Sequence, residues 1–254
     1  MSVKVRAAAL LVCAAGSSLL VRAGWAQAAG ATATVESPGR VAMMEARLAD
    51  WPQLARYRTA NATLPPAAKG EDRVVFYGAS MTEFWGKYGT KFFPGKPYLN
   101  RGISGQTTAQ MVVRFRQDVI DLHPKAVLIL AGTNDVAGNT GPMTPEMTED
   151  NWQSMADLAK MNGIRVIFAS ITPSTDFWWH KGLKPAKKIR TLNAWLKGYC
   201  ESHGLTYLDY YSTLADEDGG MKKEFTVDGV HASVRGYAVM EPLAQAAIDK
   251  TLAK

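Results

Sequence analysis

Arg73-Val74-Val75-Phe76-Tyr77-Gly78-Ala79-Ser80 is the stretch that decides the fold class. Val74, Val75, Phe76 and Tyr77 follow one another with no polar residue between them, and the run then closes on small residues. An uninterrupted β-branched and aromatic run of this length reads as a strand buried on both faces, the kind found in parallel sheets. Working outward, β-prone runs recur at 98–103, 126–131, 165–171 and 205–211, making five with 73–77. Helical patterns fall between most of them, at 107–122, 144–162, 185–203 and 233–252, and Gly163 and Gly204 sit just past two of these as C-terminal caps. Strand and helix in alternation predict a parallel sheet covered on both sides, whose functional groups collect beyond the carboxyl ends of its strands.

The rest of the chain frames that one domain. Lys4 and Arg6, an uncharged run over 7–21, and Ala26-Gln27-Ala28 match the charged, apolar and cleavage regions of a secretory signal. Arg22 is atypical there, which keeps an uncleaved anchor as the alternative. We therefore expect a signal peptide at 1–28, a linker and N-terminal helix over 29–70 with the helix at 41–57, and a single domain over 71–254. Removing the signal lowers the formal charge from +6 to +3, and the remaining basic clusters lack the aromatic interleaving of a nucleic-acid surface. The expectation is a secreted or periplasmic protein with no nucleic-acid partner and no stable membrane association after cleavage. Cys13 lies in the signal, so Cys200 is alone in the processed chain and no intramolecular disulfide can form. It falls within a helical apolar pattern, which suits a buried small hydrophobe better than a thiol nucleophile. The four histidines show no metal-ligand spacing, and neither a metal nor a cofactor is expected.

Four short blocks carry the chemistry: Gly78-Ala79-Ser80, Gly102-Ile103-Ser104-Gly105, Gly132-Thr133-Asn134-Asp135 and Asp228-Gly229-Val230-His231. A serine hydroxyl is a weak nucleophile, so acyl transfer needs a base for its proton and donors for the oxyanion that develops. Ser80 can supply the hydroxyl, although the tripeptide alone favours a helix N-cap. Thr82 stands where a nucleophile elbow would need its second glycine, so the α/β-hydrolase form is not supported. His231, three residues after Asp228, can be held by that carboxylate through Nδ1 while Nε2 faces the serine. Asn134 can offer an amide donor and Gly105 an unobstructed backbone N–H, and both also have ordinary turn readings.

In their order and spacing these blocks resemble the SGNH hydrolases, also called GDSL-type esterases, over about residues 73–252. The resemblance implies a flavodoxin-like three-layer αβα sandwich with a five-stranded parallel sheet. It also implies Ser80 as nucleophile, His231 as base, Asp228 as its orienter, and the Ser80 N–H, Gly105 N–H and Asn134 amide as oxyanion hole. Two positions depart from the family pattern. Ala79 replaces the usual Asp before the serine, which puts turnover rate in question more than reaction type, and Ala232 replaces a frequent proline.

The reaction implied is hydrolysis of a carboxylic ester through an acyl-enzyme, on short acyl groups such as acetyl carried by a carbohydrate or small alcohol. A lysophospholipase or thioesterase is the alternative among enzymes, since the fold accepts several acyl donors. A catalytically weak carbohydrate-binding protein is the alternative of another class, motivated by Ala79 and by Phe177-Trp178-Trp179. Trp178 and Trp179 read either as sugar-stacking rings or as a packed loop.

Overall fold

β1 (Val74–Gly78), β2 (Tyr98–Gly102), β3 (Ala126–Leu130), β4 (Arg165–Ala169) and β5 (Thr206–Leu208) form one parallel sheet in the order β2-β1-β3-β4-β5. The computed structural model describes residues 37–253, so the expected signal segment and the linker up to residue 36 lie outside the described residues. Ala42–Lys254 form one compact unit, and the preceding unit contributes only Ser37 to Val41 to the description.

The helices are α1 (Pro38–Ala49), α2 (Arg58–Ala62), α3 (Ser80–Glu83), α4 (Thr108–Asp118), α5 (Thr133–Ala137), α6 (Pro145–Met161), α7 (Ala186–Ser202), α8 (Tyr211–Leu214) and α9 (Val234–Leu252). Their starts follow from local chemistry. The Thr144 hydroxyl accepts the Met147 N–H with Pro145 opening α6, and the Ser233 hydroxyl accepts the Gly236 N–H to open α9. Strand residues alternate between two cores: Val75, Tyr77, Val127, Ile129, Val166 and Phe168 join the apolar cluster that holds Met111 and Phe115 of α4, Trp152 of α6 and Leu192 of α7. Val74, Phe76, Leu128, Leu130 and Ile167 join the cluster that holds Met240 and Ile248 of α9. This two-faced burial is why β1 and β3 read as continuous apolar runs. The expected three-layer α/β fold is borne out.

Several boundaries differ from expectation: α4 ends at Asp118 rather than 122, with a separate 3-10 turn over Ile120–Leu122, and β4 ends at Ala169 rather than 171. β5 stops at Leu208 rather than running to 211, because the Asp209 carboxylate takes the backbone N–H and hydroxyl of Ser212 and turns the chain into α8. The first helix ends at Ala49 instead of 57. There the Asp50 carboxylate accepts the N–H groups of Leu54 and Ala55 at 2.7 and 2.9 Å, Pro52 has no N–H to give, and Gln53 takes a left-handed φ of 57°. The released segment lies along α4. Gln110 donates to the Trp51 carbonyl (2.6 Å), Gln106 to the Pro52 carbonyl (2.7 Å) and Gln117 to the Leu54 carbonyl (2.8 Å).

The strand order reverses at β1, with β2 on one side and β3 on the other, and a crevice opens beyond the carboxyl ends where connections leave in opposite directions. Ser80 follows β1, Gly105 follows β2 and Asn134 follows β3, so three of the four blocks converge on that crevice. Gly102 lets α3 rest directly on the end of β2. A Cβ there would lie 2.2 Å from the Glu83 backbone nitrogen.

Candidate active site

Ser80 is the first residue of α3, and Ala79, not Ser80, occupies the cap position. The hydroxyl is thereby free for another partner: Ser80 Oγ lies 2.9 Å from His231 Nε2. His231 Nδ1 lies 2.7 Å from Asp228 Oδ2, and the other carboxylate oxygen accepts the backbone N–H groups of Val230 (2.9 Å) and His231 (2.7 Å). Burial alone would raise the Asp228 carboxyl, but the hydrogen bonds from the His231 backbone and ring and from Val230 together hold it below the ordinary range. An ionised Asp228 accepts the Nδ1 proton, which leaves Nε2 as the acceptor for the serine hydroxyl. The turn is itself fixed, since the Thr226 hydroxyl donates to the His231 carbonyl at 2.8 Å and accepts the Gly229 N–H. Serine, histidine and aspartate thus form one continuous hydrogen-bonded chain.

The segments that follow β2 and β3 carry two candidate donors, Gly105 and Asn134. Asn134 is buried, and its Nδ2 donates one hydrogen to the Gln106 carbonyl at 2.9 Å, leaving the second available. Gly105 stands at a φ of 79°, a left-handed conformation in which glycine is unstrained. Among the described residues the backbone N–H groups of Ser80 and Gly105 have no hydrogen-bond partner. Beneath these groups lies Arg114, fully buried, whose guanidinium donates to the Gly78 carbonyl (3.1 Å), the Arg101 carbonyl (2.9 Å), the Asp118 carboxylate (3.0 Å) and the Gln106 side chain. It ties the ends of β1 and β2 together under the serine. Asp135, next to Asn134, accepts the Thr108 N–H at 3.1 Å and the Thr108 hydroxyl, and its burial pushes its carboxyl up to about 6.

The sequence profile of the GDSL-like lipase/acylhydrolase family matches residues 76–239, well over half of the chain. The chain belongs to this family. Among solved structures of similar proteins, a proposed acylhydrolase from Bacteroides fragilis is 46% identical, with a TM-score of 0.78 over 80% of this chain and 98% of that one. A GDSL-like lipase from Bacteroides thetaiotaomicron is 43% identical, with a TM-score of 0.76 over 78% of this chain and 98% of that one. An uncharacterised lipoprotein of Bacillus subtilis, YqeF, is 35% identical over 78 residues, which span 30% of this chain and only 32% of that relative.

Against the family pattern, Ala79 packs into the apolar cluster on the α4 side of the sheet at 8% exposure, so no carboxylate steadies the serine from that position. Glu83, at the other end of α3, supplies a tie instead. Its carboxylate accepts the Ser104 N–H at 2.7 Å, joining the serine helix to the Gly105 loop, and is paired with Arg56 and Lys87. Burial would raise Glu83, yet the Ser104, Lys87 and Arg56 contacts bring it below its ordinary value. Cys200 is buried, and burial pushes its thiol up to about 12, in keeping with a packing role.

The acylhydrolase chain also carries a cleft of about 1140 Å³ whose walls include Asp50, Trp51, Gln53 and Arg56 on one side and Asn139, Thr140 and Trp179 on the other. Gly105 and Ser104 lie in its lining, whereas Ser80, Asn134 and His231 do not. The two neighbouring tryptophans part company here. Trp178 is 61% exposed and lies outside the cleft lining, while Trp179 stacks on buried Phe177 at 4.9 Å and donates its indole N–H to Asn139 Oδ1 at 2.9 Å. The wall formed by 50–56, the Glu83 tie and Asn139 escape sequence reasoning. The one available signal is that Gln110 and Gln117 stand seven residues apart in the α4 segment, with Gln106 just before it.

Proposed function

We propose that this chain is a serine-dependent carboxylic-ester hydrolase that removes short acyl groups, acetyl foremost, from a carbohydrate or small alcohol. The observation that carries the reading is the unbroken chain from Asp228 through His231 to Ser80. His231 Nε2 takes the hydroxyl proton as Ser80 Oγ attacks the ester carbonyl carbon, and Asp228 steadies the imidazolium that forms. The carbonyl oxygen becomes an oxyanion held by the Ser80 N–H, the Gly105 N–H and the free hydrogen of Asn134 Nδ2. Collapse breaks the bond to the alcohol oxygen, which receives the proton from His231 and leaves. Water then repeats the sequence on the acyl-enzyme, with His231 as base, and regenerates Ser80.

The cleft supports the substrate class. It is broad, borders Gly105, and combines the rings of Trp51 and Trp179 with the polar side chains of Asp50, Gln53, Arg56 and Asn139. Flat apolar faces among hydrogen-bonding groups suit a hydroxyl-bearing ring better than an alkyl chain. In this reading Trp179 contacts the sugar, while Trp178 stands outside the cleft lining. An extracytoplasmic location accords with the signal-like N-terminal sequence and with a relative described as a lipoprotein. No helix among the described residues is long and apolar enough to cross a membrane.

Turnover of p-nitrophenyl esters of increasing chain length, beside an acetylated saccharide, tests the proposal with Ser80→Ala as control. Acetate and propionate esters should be hydrolysed faster than octanoate, and Ser80→Ala should lose nearly all turnover. Preference for long chains or thioesters would favour the lysophospholipase or thioesterase alternative. Saccharide binding without turnover would favour a binding protein.

A further inference from the structure

The amide of Asn134 can serve an oxyanion only if its nitrogen, and not its oxygen, faces the reacting carbonyl. A side-chain amide has two faces of nearly equal shape, so something must set its direction. The direction is set by a chain of three groups. The indole N–H of Trp179 donates to Asn139 Oδ1 at 2.9 Å, Asn139 Nδ2 donates to Asn134 Oδ1 at 2.9 Å, and Asn134 Nδ2 donates to the Gln106 carbonyl at 2.9 Å. An indole N–H only donates and a backbone carbonyl only accepts, so both ends of the line are fixed: the Gln106 carbonyl sets which way Asn134 faces, and Asn139, anchored by Trp179, holds the Asn134 oxygen in place. Asn139 Nδ2 also reaches the Gly105 carbonyl at 3.2 Å, so the same amide touches the loop that offers the second oxyanion donor.

We propose that Asn139 is a positioning residue for ester hydrolysis, with the Trp179 indole as the anchor that holds its amide in place; the inference rests on the ester-hydrolase reading above. Without Asn139 the oxygen of Asn134 loses its donor and the amide is held by the Gln106 carbonyl alone, free to swing about that one bond and carry its second hydrogen away from the developing negative charge. Trp179 and Asn139 both line the cleft, so the group that the alcohol part of a substrate would rest against is wired to the group that stabilises the reacting oxygen. Asn139 is itself exposed, and its removal opens no hole in the core.

The experiment is steady-state kinetics on p-nitrophenyl acetate, whose small leaving group makes little use of the cleft, with thermal midpoints measured in parallel. Asn139→Ala should lower kcat by roughly tenfold to a hundredfold, part of what one lost or misplaced oxyanion donor costs, with KM within about twofold of the parent. Trp179→Phe keeps a ring on Phe177 but removes the N–H, and should lower kcat in the same direction by a smaller factor. In an Asn134→Ala background the Asn139→Ala effect should shrink to about twofold or less, since its target is gone. Additive losses in the double variant, an effect on KM alone, or unchanged kcat in both Asn139→Ala and Trp179→Phe would overturn the relay while leaving the ester-hydrolase reading intact. Full turnover by Ser80→Ala would instead bring down the reading on which the relay rests.

Discussion

Replacing Asp228 by asparagine should be more damaging than removing its side chain altogether. In the structure one oxygen of Asp228 accepts two backbone N–H groups, from Val230 and His231, and the other faces His231 Nδ1 at 2.7 Å. An asparagine in this turn must place its oxygen on the two backbone donors, which directs its NH2 at Nδ1. Nδ1 then becomes an acceptor, the ring proton moves to Nε2, and Nε2 can no longer take the proton of Ser80 Oγ at 2.9 Å. A triad histidine locked in the wrong tautomer loses about ten thousandfold in kcat, or about 5.5 kcal/mol of transition-state stabilisation. Asp228→Ala imposes no tautomer and should lose less. Both variants are to be compared by kcat on p-nitrophenyl acetate, with thermal midpoints to confirm folding. An asparagine variant within about tenfold of the parent, or an alanine variant slower than the asparagine one, would refute the argument.

Ala79→Asp would bring the family's usual carboxylate into an apolar cluster, and an unpaired polar group placed there costs roughly 1–3 kcal/mol. We expect a lower thermal midpoint and a lower kcat together; a gain in kcat with an unchanged midpoint would show that the loop has room for the charge. Asp135, pushed up to about 6 by burial, binds its proton more tightly in the folded chain than in the unfolded one, so its contribution to stability is lost as pH climbs from about 4 through about 6. Asp135→Asn does not titrate, and the stability difference from the parent should move in its favour between about pH 4 and about pH 7 in denaturant titrations; a difference independent of pH would contradict this.

The sheet was legible because its central strands β1 and β3 are buried along their whole length, which leaves runs of apolar residues that no helix period explains. Its errors fall where a single polar side chain redirects the backbone, as Asp209 does after β5 and Asp50 after α1. The residues brought together at Ser80 were legible because their chemistry is rare in combination and each block adjoins a strand end. Even so, sequence could not separate a capping Ser80 from one bonded to His231; the cap position taken by Ala79 does. Trp178 and Trp179 are alike and adjacent in sequence, and only packing on Phe177 and a bond to Asn139 tell them apart. The cleft wall at 50–56 was hidden for another reason. It depends on glutamine side chains reaching carbonyls more than fifty residues away, and an exposed helix face has the same composition.

Those three glutamines bind the carbonyl oxygens of Trp51, Pro52 and Leu54, which any amino acid at those positions would present equally well. The clamp is therefore blind to the side chains it holds. Residue 51 can change identity without detaching the wall, whereas Gln53 keeps a left-handed φ and Arg56 pairs with Glu83; Ser80, Asn134, Asp228 and His231 lie elsewhere in the chain. Evolution, or a library confined to this short segment, can explore new leaving groups with the bond-breaking apparatus held constant.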